Sequence, residues 1–113
     1  MEEYQVTLRK LAVRDDRYVD TLLRADCSSA SLAGLDDRSH ALIRIAALVV
    51  LNAAPPAYMS SVEAALRAGL THDEIVGVLP ALVPVIGVAR VVSAAPNLGL
   101  AVGYDVSEAL EAV

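Results

Sequence analysis

The sequence has no Phe and no Trp, a single Cys and a single Lys. Without large aromatic side chains to fill space, the core must be built from Ala, Val, Leu and Ile, and small side chains let helices approach closely. Cys27 has no partner for an intrachain disulfide, and a lone cysteine fits a reducing, cytoplasmic setting. Nine Lys and Arg face fourteen Asp and Glu, a net charge of -5, with a pI near 4.8. That balance argues against nucleic acid, because phosphate binding needs clustered cations. The opening "MEEYQVTLRK" is acidic where a signal peptide is basic and then apolar, so no export is expected. The uncharged run Ile75 to Ala89 is shorter than the ~20 residues of a membrane helix and contains Pro80 and Pro84. No membrane span is expected. His, Cys and carboxylate residues nowhere fall at metal-ligand spacing, so neither a metal nor another cofactor is expected.

What is present is apolar. Hydrophobic residues make up 56% of the 113 positions, with a mean hydropathy of +0.52. A chain of this length builds one domain, residues 1–113, around one core. Between Ile75 and Tyr104 the only charge is Arg90. So small a domain does not hide that much apolar surface by itself, which predicts a homo-oligomer.

Helical periodicity recurs along the chain. "RDDRYVDTLLRADC" sets Tyr18, Val19, Leu22 and Leu23 on one side and charges on the other. "SSASLAGL" is a Ser and Gly loop. "LDDRSHALIRIAALVVLNA" opens with Asp36 and Asp37, where a helix dipole favours anions, and continues almost wholly apolar, so this helix should be central. Asp15 with Asp16, like Asp36 with Asp37, reads as a helix start and not as a metal site.

Pro55 and Pro56 suit the first turn of the next helix, where a missing N–H costs little. That helix should end at Arg67 or Ala68, with Gly69 as a left-handed cap. Thr71 followed by Glu74 forms a capping box for another helix. A helical hairpin with a short turn results. "IVGVLPALVPVIGVARVV" is rich in β-branched residues, but it lacks period-2 polarity and follows a helix start, so it is read as helix. Gly87 should mark a kink or a join to a helix ending near Pro96, and "DVSEALEAV" a short final helix. The fold class is therefore all-α, built around a central hairpin.

The pattern "LDDRSHALIRIAALVVLNA … SSVEAALRAGLTHDEIVGVLPALVPVIGVARVVSA", Leu35 to Ala95, resembles the carboxymuconolactone decarboxylase and AhpD-like alkylhydroperoxidase family. "VEAALRAGLTHDEIVGVL" carries its most specific part. The resemblance implies an AhpD-like helical fold assembled as a trimer or hexamer, with sites near subunit contacts. It also implies, in the peroxidase branch, a glutamate on the first helix and Cys-x-x-Cys-x-x-x-His at the start of the second. Aligned on "VEAALRAG", the two cysteines fall on Ala54 and Ala57, the histidine on Ser61 and the glutamate near Ala41. This chain is thus a divergent member with a degenerate motif. Two thiols three residues apart at a helix start can be acidified and close a disulfide, whereas alanine can do neither. Cys27 has no resolving partner in the chain and reads as an incidental small residue. Thiol peroxidase activity is not expected, and Ser61 departs from the decarboxylase branch as well.

Five residues remain as candidates for binding substrate. Arg44 interrupts an apolar helix one turn after His40, on the same face, and the pair can clasp a carboxylate. Arg44 also lies one turn from Ala41, so a cation stands near the place of the family's relay acid. The alternative is an arginine that snorkels to water or pairs with an acid; for His40 it is a solvated first-turn residue. Arg90 needs water, an acid or a ligand for its charge, with an intersubunit salt bridge as the competing account. Tyr58 and Ser61, three apart on one helix face, can hydrogen-bond a ligand or simply pack and face solvent. His72 reads as solvated.

Two functions follow from these residues. One is lyase or isomerase chemistry, or binding, on a small carboxylated metabolite. The other is a non-catalytic oligomeric binding or scaffold protein.

Overall fold

The computed structural model describes residues 1–24 and 33–112. Among them the chain is all-α: eight helices and no strand. Among the described residues no helix is long and apolar enough to cross a membrane. The chain divides into two compact units, Met1–Leu35 and Asp36–Val113. Cys27 and most of the Ser and Gly loop lie outside the described residues.

The first unit contains α1 (Glu3–Ala12) and α2 (Asp16–Arg24). Periodicity anticipated α2, and the Asp15 carboxylate starts it by accepting the Tyr18 N–H at 3.0 Å. Sequence reading passed over α1. Its signal is the Met1, Tyr4, Leu8, Leu11 spacing, together with a capping box between Glu2 and Gln5. The Lys10 ammonium rests 5.2 Å from the centre of the Tyr18 ring and ties the two helices together.

The second unit is ordered α3 (Asp37–Leu51), α4 (Pro55–Arg67), α5 (His72–Val76), α6 (Val78–Ile86), α7 (Val88–Ala101) and α8 (Val106–Glu111). α3 is central and packs against α4, α6 and α7. It buries Ala41, Ile45 and Val49, one side chain per turn. α4 answers with Tyr58, Val62 and Ala65, and α7 with Val91, Ala94 and Leu98. Ala65 of α4 and Ala94 of α7 are wholly buried, and these two helices pack against each other.

Local chemistry sets the helix ends. The Asp36 carboxylate caps α3 by accepting the Ser39 N–H at 2.6 Å. Pro55 and Pro56 occupy the first turn of α4. Gly69, at φ +91°, ends it in a left-handed turn. Thr71 and Glu74 form the expected capping box, at 3.1 and 3.0 Å.

Two details differ from expectation. The helix begun at Thr71 stops after Val76, and a second one starts across Gly77, so the apolar stretch before Gly87 is two helices. α7 passes through Pro96 and ends at Ala101 instead of stopping near the proline. Pro96 frees the carbonyl of Val92, and Pro84 inside α6 frees that of Pro80. Val92 and Pro80 are both exposed residues.

Candidate functional site

Arg44 occupies the middle of α3 and is half-buried against α4. Its Nη2 donates to Ser61 Oγ at 3.4 Å, near the outer limit for a hydrogen bond. The antiparallel course of α3 and α4 brings these two residues, 17 apart in sequence, face to face. Ser61 is 4% exposed. Among the described residues no carboxylate lies within ion-pair distance of Arg44; the ion pairs are Arg14 with Asp16, Arg38 with Glu74 and Arg67 with Glu63.

His40 sits one turn before Arg44 and is half-buried. Its backbone N–H closes the first turn onto the Asp36 carbonyl at 3.0 Å. No side-chain hydrogen bond joins it to Arg44 among the described residues. Tyr58 is fully buried three residues before Ser61, and among the described residues its hydroxyl has no hydrogen-bond partner. Burial raises the phenol above its usual pKa, so the group stays protonated and presents a donor.

The alanines that the resemblance aligns with reactive residues hold ordinary structural positions. Ala41 is buried in the α3 face. Ala54 is the N-cap of α4, with extended backbone and no side-chain cap, and Ala57, half-buried, gives its N–H to the Ala54 carbonyl at 3.1 Å.

Arg90 does not join this cluster. It lies on α7, where its Nη1 donates to the Val50 carbonyl at 3.3 Å. That carbonyl belongs to the last turn of α3, whose Leu48 and Val49 carbonyls are taken by the N–H groups of Asn52 and Ala53. Arg90 thus supplies a cation to the negative end of the α3 dipole. Beside it lies a cavity of about 300 Å³ lined by Val49, Val50, Asn52, Ala89, Arg90 and Ser93. Sequence reading named Arg90 but missed Asn52 and Ser93. The only available signal was the three-residue spacing of Arg90 and Ser93 on α7.

Arg38, also not singled out, is structural. It donates to the Gly69 carbonyl at 2.7 Å and pairs with Glu74, pinning the start of α3 to the turn between α4 and α5. His72 is exposed, as expected. No group of His, Cys, Asp and Glu is arranged to hold a metal ion among the described residues.

Searches of family models, of curated proteins and of solved structures found no match to this chain.

Proposed function

We propose that the chain is a divergent carboxymuconolactone decarboxylase-like protein that binds a small carboxylated metabolite at Arg44, without thiol redox chemistry. One observation carries the reading: half-buried Arg44 on the central helix has, among the described residues, one side-chain hydrogen-bond partner, the neutral Ser61 hydroxyl at 3.4 Å. Removing a guanidinium from water is costly unless an anion compensates it, and the described residues provide none within ion-pair distance. A ligand carboxylate fills that role through two parallel N–H donors.

The chemistry left to such a site is the holding of negative charge by Arg44, with His40 one turn away to exchange a proton. That is the outline of a lyase or isomerase acting on a carboxylated substrate. The family assignment rests on the residue pattern from Leu35 to Ala95. It is supported by the glycine-ended α4 and the capping box that starts α5. A trimer or hexamer in a reducing cytoplasm completes the reading.

Thermal unfolding in the presence of a panel of small lactones and keto acids tests it. At least one carboxylate should raise the midpoint, and Arg44→Ala should abolish the response. If no acid stabilises the protein, or the variant responds like the original, the proposal falls.

A second reading, an oligomeric scaffold without turnover, is favoured by Ala41, Ala54 and Ala57 standing where the family carries reactive groups. A steady catalytic rate with any of these acids, lost in Arg44→Ala, would refute it.

A further inference from the structure

The Arg90 cavity is distinct from the Arg44 site, because the two arginines have different partners and no common lining residue. Arg90 spends one of five N–H donors on the Val50 carbonyl. That contact anchors the side chain against the end of α3 and leaves the rest of the fork available. No acidic residue lines the cavity. Ser93 follows Arg90 by three positions on α7 and therefore shares its face. Asn52 reaches the same space from α3, where its left-handed backbone, at φ 52° and ψ 52°, turns the chain away. Three residues with polar side chains, Arg90, Ser93 and Asn52, thus line one cavity. The remaining lining residues are Val49, Val50 and Ala89.

An apolar hollow with a few convergent polar groups is the usual form of a small-molecule site, and about 300 Å³ is at the small end of the range. One guanidinium balances one negative charge. A dianion such as phosphate would keep an unbalanced charge beside valine and alanine. An uncharged ligand would leave the guanidinium without an ionic partner.

We propose that this cavity is a second ligand site, which takes a small monocarboxylate with a short branched or single-ring apolar body. The carboxylate pairs with Arg90, assisted by Ser93 and Asn52, and the body lies against Val49, Val50 and Ala89. The site does not depend on the Arg44 reading, and either stands if the other fails.

Titration of the 15N-labelled full chain with isovalerate and with benzoate, followed by amide NMR, tests it. Isovaleramide and inorganic phosphate serve as controls. Saturable shifts are expected at Asn52, Ala89, Arg90 and Ser93 in the low millimolar range, with none from the amide or from phosphate at equal concentration. Arg90→Gln should weaken binding at least about tenfold, the scale of a lost charge-assisted pair. Because Arg90 also caps α3, Arg90→Lys is the second variant. It keeps a charge and a donor for the Val50 carbonyl but loses the fork, and should bind several-fold more weakly with an unchanged fold. Three results would each overturn the proposal: no saturable shifts, shifts confined to Arg44 and Ser61, or equal responses to isovalerate and isovaleramide. Undiminished affinity in Arg90→Lys would overturn the paired contact and with it the assignment.

Discussion

At the scale of single residues, Tyr58 is the clearest case of a group whose polar end is not used by the fold. Its ring is part of the buried core, yet its hydroxyl is buried without a partner among the described residues. A buried polar group left unpaired costs about 1–3 kcal/mol. Tyr58→Phe should therefore raise stability, by about 1 kcal/mol, in urea unfolding at neutral pH. A loss of the same size would show that the hydroxyl has a partner in solution. The pH dependence gives a second check. The phenol's pKa is raised in the folded protein, so its contribution is present below the ordinary value of 10.0 and is lost as pH rises past it. The phenylalanine variant should lack that alkaline limb. Arg44 was legible as a charge interrupting an apolar helix, but its meeting with Ser61 was not, because that contact depends on how two helices align. The same holds for Arg90. Its charge stood out, and its real neighbours, Val50, Asn52 and Ser93, lie on a different helix, at a helix end and one turn onward.

At the scale of elements, helix ends decide most of what can be tested. Gly69 and Gly99 make a useful contrast. A Cβ at Gly69 would meet only the tip of Arg38, at 3.6 Å, so Gly69→Ala pays for backbone strain at φ +91° and should cost about 1 kcal/mol. A Cβ at Gly99 would lie 2.8 Å from the Tyr104 carbonyl oxygen and 3.1 Å from Val106 Cγ2. Gly99→Ala should push α8 off α7, at about 1–3 kcal/mol, with amide exchange in residues 106–111 accelerated well beyond the rest of the chain. Uniform exchange across α3, α4 and α8 would contradict this.

The caps also set the acid limb of stability. Hydrogen bonds from the Thr71 and Ser39 backbones hold the Glu74 and Asp36 carboxyls below their ordinary values of 4.5 and 3.8, and Arg38 adds to both shifts. Depressed values in the folded state mean that this stabilisation is complete above about pH 4.5 and disappears as pH falls through the folded values. Glu74→Gln should flatten the fall in urea midpoint below pH 4.5 while leaving a midpoint at pH 7 that no longer depends on that carboxylate. An unchanged slope would show that other acids carry the acid limb. These ends were readable in advance because caps and glycine turns are local: Asp36, Pro55, Gly69 and the Thr71–Glu74 pair act within four residues of themselves. The passage through Pro96 was not readable, since a proline continues a helix only where the surroundings tolerate the freed carbonyl.

At the scale of the whole molecule, the outer faces of α6 and α7 keep large apolar side chains in water. Val85, Val88 and Val92 are 73%, 61% and 62% exposed. Exposed apolar side chains of this kind favour self-association where they form one patch. Sedimentation at micromolar concentration should give a multiple of the 11.8 kDa chain mass, and Val88→Glu should shift it toward the single-chain value without loss of helical signal. A single-chain mass for the original protein would remove the oligomer from the proposed function.

By itself the sequence determined the helical class, the central position of α3, the caps on either side of Gly69 and the lack of a cysteine pair. Each depends on side-chain periodicity, on bonds within one turn, or on which atoms exist at all. Tertiary structure alone decided that Arg44 meets a serine and not an acid, that Arg90 closes the end of α3 beside a cavity, and that Tyr58 buries its hydroxyl unpaired. These relations join residues that the chain brings together only by packing helices, and helix periodicity says which face is apolar without saying which residue stands opposite.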